Sequence, residues 1–283
     1  MTRILIPLLA LVALVRGEDT TSLFGQINEI TAELSRITGL KPLKKVEYAP
    51  ITKPEVNKFL RERLKEEMPP EEIRAEEMVL RKFGFVPANY DLAKSTIDLF
   101  TEQAAAFYDF RKKKLFVLDS SSGALQKMAL VHELAHALAD QHFQLEKFIR
   151  HGGASDDSSL ARMSVMEGQA AWLMSEYMAR QVGQTLKGSG GVAEMVRRTA
   201  ELSAGQFPVF DAAPLYMRET MLFPYTYGML FQHAVVEKLG EEGFSEVFRH
   251  PPTTAQQILH PDKYFAKHEP TTPAAAKPPR VKE

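Results

Sequence analysis

The 283-residue chain has no cysteine. Disulfides, thiolate metal ligands, cysteine nucleophiles and a lipoprotein anchor on cysteine are therefore excluded. An excess of one charge sign is also lacking. Lys and Arg number 35 and Asp and Glu 36, for a formal net charge of −1, and neither sign forms a long block. That balance gives no reason to expect a nucleic-acid partner. Lys112-Lys113-Lys114 is the short exception, and its place between two β-rich runs makes it a hairpin tip. No internal repeat is evident.

Long apolar runs are missing as well, apart from the N-terminus. There Met1-Thr2-Arg3 carries a positive charge, Ile4 through Val15 is apolar except for Pro7, and the polar Arg16-Gly17-Glu18-Asp19 follows. This is the layout of a secretory signal peptide, residues 1–17, with cleavage expected after Gly17. The run is too short for a standard transmembrane helix. The expectation is a secreted or periplasmic protein with no stable membrane span after signal cleavage.

What the chain does have is His132-Glu133-Leu134-Ala135-His136, a His-Glu-x-x-His motif inside an apolar stretch that reads as helix. Residues four apart share a helix face, so both imidazoles can reach one ion. Glu133 sits about 100° round from His132, placed to touch a water on that ion rather than to ligate it. Two His ligands, an adjacent carboxylate and an open position are what zinc-assisted hydrolysis requires. The bland alternative is a pair of core histidines beside a salt-bridged glutamate.

Two residues compete for third ligand. Glu167 lies in the middle of the apolar face of a second helical stretch, with Met163, Ala170 and Met174. A carboxylate there must find a cation, a metal or a proton; without a metal, Arg162 is a candidate partner. Gly168 is unfavourable inside a helix, and the expected compensation is close approach of the His-bearing helix. The rival is His142, which continues the spacing His132-x-x-x-His136-x-x-x-x-x-His142 of the metzincin proteases. That pattern has Gly where this chain has Ala139, and Ala does not break a helix. An unbroken helix would point His142 roughly 120° away from His136.

With Glu167 as ligand, the chain resembles the gluzincin metalloproteases. More closely, Val131-His-Glu-Leu-Ala-His-Ala-Leu-Ala-Asp-Gln-His-Phe143 followed by Glu167-Gly168-Gln169-Ala170 is similar to a group of little-characterised bacterial secreted zinc-peptidase-like proteins. Phe223-Pro-Tyr-Thr-Tyr-Gly228 and Thr254-Ala-Gln-Gln-Ile-Leu-His-Pro261 fit the same group, so the resemblance spans about residues 100–265. An acidic residue is common in that group where Gln169 stands here. The resemblance implies a gluzincin-like fold and peptidase activity, with no particular substrate.

The expected fold class is α+β and mostly helical: a zincin-like core with a small β-hairpin or sheet before the metal helix. Residues 18–103 read as an N-terminal helical lobe or a prodomain. Helices are expected over about 21–38 (closed by Gly39), from Lys53-Pro54-Glu55, from Pro69-Pro70 to near Phe83, and over 89–101, with an extended stretch at 46–51. Residues 104–266 read as the catalytic domain. It opens with a hairpin, Ala106–Phe110 and Leu115–Asp119, whose edge can pair with an extended peptide. Asp119-Ser120-Ser121-Ser122 offers caps for the metal helix, and 151–159 is a loop. Further helices are expected at about 191–203 and 225–239, the latter opened by Pro224. The Pro/Ala/Lys-rich tail, 267–283, reads as disordered.

In the mechanism this suggests, His132, His136 and Glu167 hold Zn²⁺, and Glu133 is the general base acting on a peptide or protein substrate. Asp140 can accept the other ring N–H of a ligand His. Tyr225, Tyr227, His260 and Tyr264 are candidate oxyanion donors. Two alternatives stand beside the peptidase: a zinc hydrolase of a non-peptide amide or ester, and a non-catalytic secreted protein with a structural zinc. Sequence alone does not separate peptidase from amide or ester hydrolase.

Overall fold

A computed structural model describes residues 25–118, 123–151, 155–192, 194–195 and 207–268. The expected signal peptide, the Asp119–Ser122 cap, most of the 191–203 helix and the tail beyond residue 268 lie outside the described residues.

The chain begins with helix α1 (Ile27–Thr38), strand β1 (Glu47–Ile51) and helices α2 (Lys53–Glu67), α3 (Pro70–Lys82) and α4 (Leu92–Gln103). Strands β2 (Ala106–Asp109) and β3 (Lys114–Leu118) lead into α5 (Gly123–Phe143), α6 (Leu145–Arg150) and α7 (Asp156–Gln181). Then come α8 (Pro208–Asp211), α9 (Leu215–Leu239), a 3₁₀ turn (Gly240–Glu242), α10 (Gly243–Arg249), α11 (Ala255–Leu259) and α12 (Pro261–Phe265). The architecture is α+β, mostly helical, with one three-stranded sheet among the described residues.

Local signals explain many boundaries. Ile27, Ile30, Leu34 and Ile37 recur at helical spacing and are buried on one face of α1. Gly39 ends that helix in the left-handed region, φ 71°, and its N–H donates to the Ser35 carbonyl. Thr52 and Glu55 form a capping box at the start of α2.

The expected hairpin forms over the described residues 106–118, with β2 antiparallel to β3 and the 110–113 turn between them. The extended stretch at 46–51 does more than sequence suggested. As β1 it pairs in parallel with β3, giving the order β1-β3-β2. The segment before residue 104 thus supplies a strand to the sheet, and α1 packs into the same core as α5, α7, α9 and α10.

The expected 151–159 loop ends early, because Ser155 caps α7 and the helix begins at Asp156. Two further expectations need correction. The 225–239 helix does not open at Pro224: α9 begins at Leu215 and runs through it. Proline has no N–H, so that helix forgoes one internal hydrogen bond, and packing along α7 offsets the loss. The second concerns Gly168. Its close neighbour is α9, not the His-bearing α5. A Cβ at Gly168 would lie 2.1 Å from the Gly228 carbonyl carbon, and one at Gly228 would lie 2.3 Å from the Ser164 oxygen. The reason is angular. Residues adjacent in a helix point about 100° apart, so if Glu167 faces α5, Gly168 must face a different neighbour.

Candidate metal centre

Helix α5 is unbroken through Ala139 as far as Phe143. Its regularity stacks His132 and His136 one turn apart, and α7 lays Glu167 across them. His132 Nε2 lies 3.0 Å from His136 Nε2 and 3.1 Å from Glu167 Oε2, and His136 Nε2 lies 3.2 Å from the same oxygen. All three residues are buried, and they are the one group of potential metal ligands of this kind among the described residues. His142 is not part of it. Its Nε2 hydrogen-bonds the Lys41 carbonyl oxygen at 2.8 Å, the outcome an unbroken helix dictates. Arg162 does not neutralise Glu167 either; its guanidinium donates to the Phe148 carbonyl and lies over the Phe148 ring.

The donor set fits a small dication. A tetrahedral ion bound at ~2.0–2.1 Å has donor atoms roughly 3.3 Å apart, close to the 3.0–3.2 Å edges of this triangle. One proton can bridge one edge of such a triangle, whereas a single ion satisfies all three donors. Glu167 Oε1, Glu133 Oε1 and His132 Nδ1 are buried without hydrogen-bond partners. Unpartnered polar atoms in a core are costly and call for a ligand or water. His132, His136 and Glu167 therefore form a buried site able to hold a metal ion.

Glu133 lies beside the triangle, fully buried. Its Oε2 accepts from the Tyr108 backbone N–H at 2.8 Å, leaving Oε1 unpaired. Burial pushes its carboxyl up to about 8, the Glu167 charge adding to that and His132 and the Tyr108 amide opposing it. Glu167 behaves oppositely. Burial alone would raise it, but His136 and the hydrogen bonds and charge of His132 prevail and hold it at about 2. Two buried carboxylates that interact electrostatically are thus driven in opposite directions, one towards the proton and one towards the charge.

Asp140 does not contact a ligand imidazole. Its Oδ2 accepts from the Tyr108 hydroxyl at 3.1 Å and from Lys113 Nζ at 2.7 Å, and its Oδ1 accepts from the Leu145 N–H at 2.9 Å. On the helix wheel Asp140 falls about 20° from Glu133 and about 40° from His136. It therefore shares the face that meets the hairpin.

Of the four proposed oxyanion donors, Tyr225 alone is seen against the triad, its ring stacked on His132 at 6.0 Å between centroids. The Tyr264 hydroxyl donates to the His250 carbonyl, and its ring meets Phe231 edge-on. Tyr227 is exposed and packs on Phe223, and His260 is exposed where α11 meets α12. Two neighbours of the site escaped sequence reasoning. Phe110 sets its edge against the His136 ring at 6.0 Å, and the Tyr108 amide holds Glu133. The β-rich run locates both residues; which amide faces the helix depends on strand register.

Comparisons with family models, with curated proteins and with solved structures find no match to the chain.

Proposed function

We propose that the chain is a secreted zinc metallopeptidase with a gluzincin-like core. The observation that carries this is Glu133 Oε1, a buried carboxylate oxygen without a partner beside three metal-ligating atoms. A structural metal needs His132, His136 and Glu167 but gives Glu133 nothing to do. Two imidazole nitrogens and one carboxylate oxygen are a donor set suited to zinc, which would keep a further position for chemistry. When bound, the ion would supply Lewis acidity and make a water acidic near neutral pH. Glu133 then takes the proton of the attacking water on Oε1 and passes it to the leaving nitrogen. Glu167 keeps its negative charge throughout and offsets part of the ion's. Its His neighbours and the Tyr108 amide keep the four groups from rearranging during the reaction.

The leader-like residues 1–17 support export of the mature chain, whereas β2, the edge strand expected to pair with a peptide, is buried along its length and its Tyr108 N–H is taken by Glu133. The deep burial of all four residues favours the structural-zinc reading instead, and hydrolysis of a non-peptide amide or ester would use the same groups. The deciding experiment is cleavage of a broad peptide library by zinc-loaded protein, with Glu133→Gln as control. The expected result is hydrolysis that the substitution lowers by ~10²–10⁴-fold while zinc content holds. Zinc-loaded wild type that cleaves no peptide would turn the reading to a non-peptide hydrolase or a structural site.

A further inference from the structure

Helix α5 meets the β2–β3 hairpin through a line of polar contacts along one face. Glu133 and Asp140 stand seven residues apart, two turns, and both reach Tyr108. The Tyr108 backbone N–H donates to Glu133 Oε2 and its hydroxyl donates to Asp140 Oδ2. From the turn of the same hairpin, Lys113 adds its ammonium to Asp140; this residue sits in the left-handed region at φ 54°. Both hairpin donors fall on Oδ2, and the Leu145 N–H takes Oδ1, so both Asp140 oxygens are engaged in a position only 3% exposed. Burying a carboxylate is costly unless it is fully partnered, so one that is held by two hairpin residues fixes the spacing between hairpin and helix.

We propose that Asp140 is a positioning residue for Glu133, acting through Tyr108. Asp140 clamps the Tyr108 side chain, and this fixes where the Tyr108 amide lies. The amide holds one oxygen of Glu133, Oε2. The other, Oε1, is left buried and unpartnered. The two carboxylate oxygens are therefore unequal: one is held by the strand and the other is free to accept a proton. This inference rests on the peptidase reading for its catalytic consequence. The geometric part stands without it.

The test uses the full chain, zinc-loaded, as wild type, Tyr108→Phe, Asp140→Asn and Asp140→Ala. Tyr108→Phe keeps the ring and amide but removes the hydroxyl, so it probes the clamp even if the Asp140 variants fold poorly. The first readout is amide exchange at residue 108 by NMR. The Leu118 amide, which donates to the Ala105 carbonyl in the same hairpin, serves as internal reference. Exchange at 108 should quicken roughly tenfold in Tyr108→Phe and Asp140→Asn, and further in Asp140→Ala, with Leu118 unchanged. The second readout is hydrolysis, where kcat should fall roughly ten- to a hundredfold with KM and zinc content little altered. A uniform rise in exchange at both amides would mean a merely structural role and overturn the proposal, as would unchanged exchange at 108. Faster exchange at 108 in the variants than in wild type, with wild type and variants alike inactive, would sustain the clamp and defeat only the peptidase reading.

Discussion

The ring of Tyr225 lies stacked against that of His132, centroids 6.0 Å apart and planes 29° apart. Tyr225 precedes Gly228 by three residues on α9, and Gly228 is where α9 touches α7 backbone to backbone. Gly168, the other half of that contact, directly follows the candidate ligand Glu167. One close helix crossing thus sets both the third candidate ligand and the aromatic neighbour of His132.

That crossing makes Gly168→Ala a sharp test. The added methyl would meet backbone, which cannot rotate away, so α7 and α9 must part. Unfolding in urea should show a loss of about 1–3 kcal/mol or more, and zinc affinity should fall because Glu167 moves with α7. Gly190→Ala, with no atom within 4 Å of the new Cβ, should change neither. Equal behaviour of the two variants would dismiss the crossing as a determinant of the site.

Metal content separates the two ligand sets read from the sequence. Purified protein should hold about one ion per chain. Glu167→Ala should remove it or weaken it strongly. His142→Ala should leave the ion in place and cost only the hydrogen bond to the Lys41 carbonyl, about 0.5–1.5 kcal/mol. Metal lost from the His142 variant and kept by the Glu167 variant would restore the metzincin-like arrangement.

What could be read in advance was local. The four-residue spacing of His132 and His136 needs only a helix, and an acidic residue on the apolar face of its own helix marks Glu167 without knowledge of its partner. Ala139 likewise argued for an unbroken α5, and so against His142. What could not be read were contacts fixed by tertiary packing. β1 reaches β3 across more than sixty residues, α9 rather than α5 fills the space at Gly168, and Asp140 finds Tyr108 and Lys113 instead of an imidazole. Pro224 illustrates a different limit. Its local preference for a first turn is real, but burial against α7 outweighs one missing hydrogen bond.

The opposed carboxylates predict a pH dependence for metal-free protein. Glu133, at about 8 when folded and 4.5 ordinarily, binds its proton more tightly in the folded state. Its favourable contribution is fully present below pH 4.5 and is lost as pH rises through about 8. Glu167, at about 2 when folded, has the reverse sign: its contribution is present above 4.5 and is lost as pH falls towards 2. Between pH 4.5 and 8 Glu133 is therefore the one of the two whose protonation differs between folded and unfolded chains. Thermal unfolding in chelator should show wild type losing stability relative to Glu133→Gln across that window, by a few kcal/mol at most, because glutamine has no proton to lose. Saturating zinc should flatten the difference, since a dication beside Glu133 favours its ionised form. A difference between the two proteins that does not change with pH in chelator would mean that Glu133 is already ionised without metal, and that burial does not govern its charge.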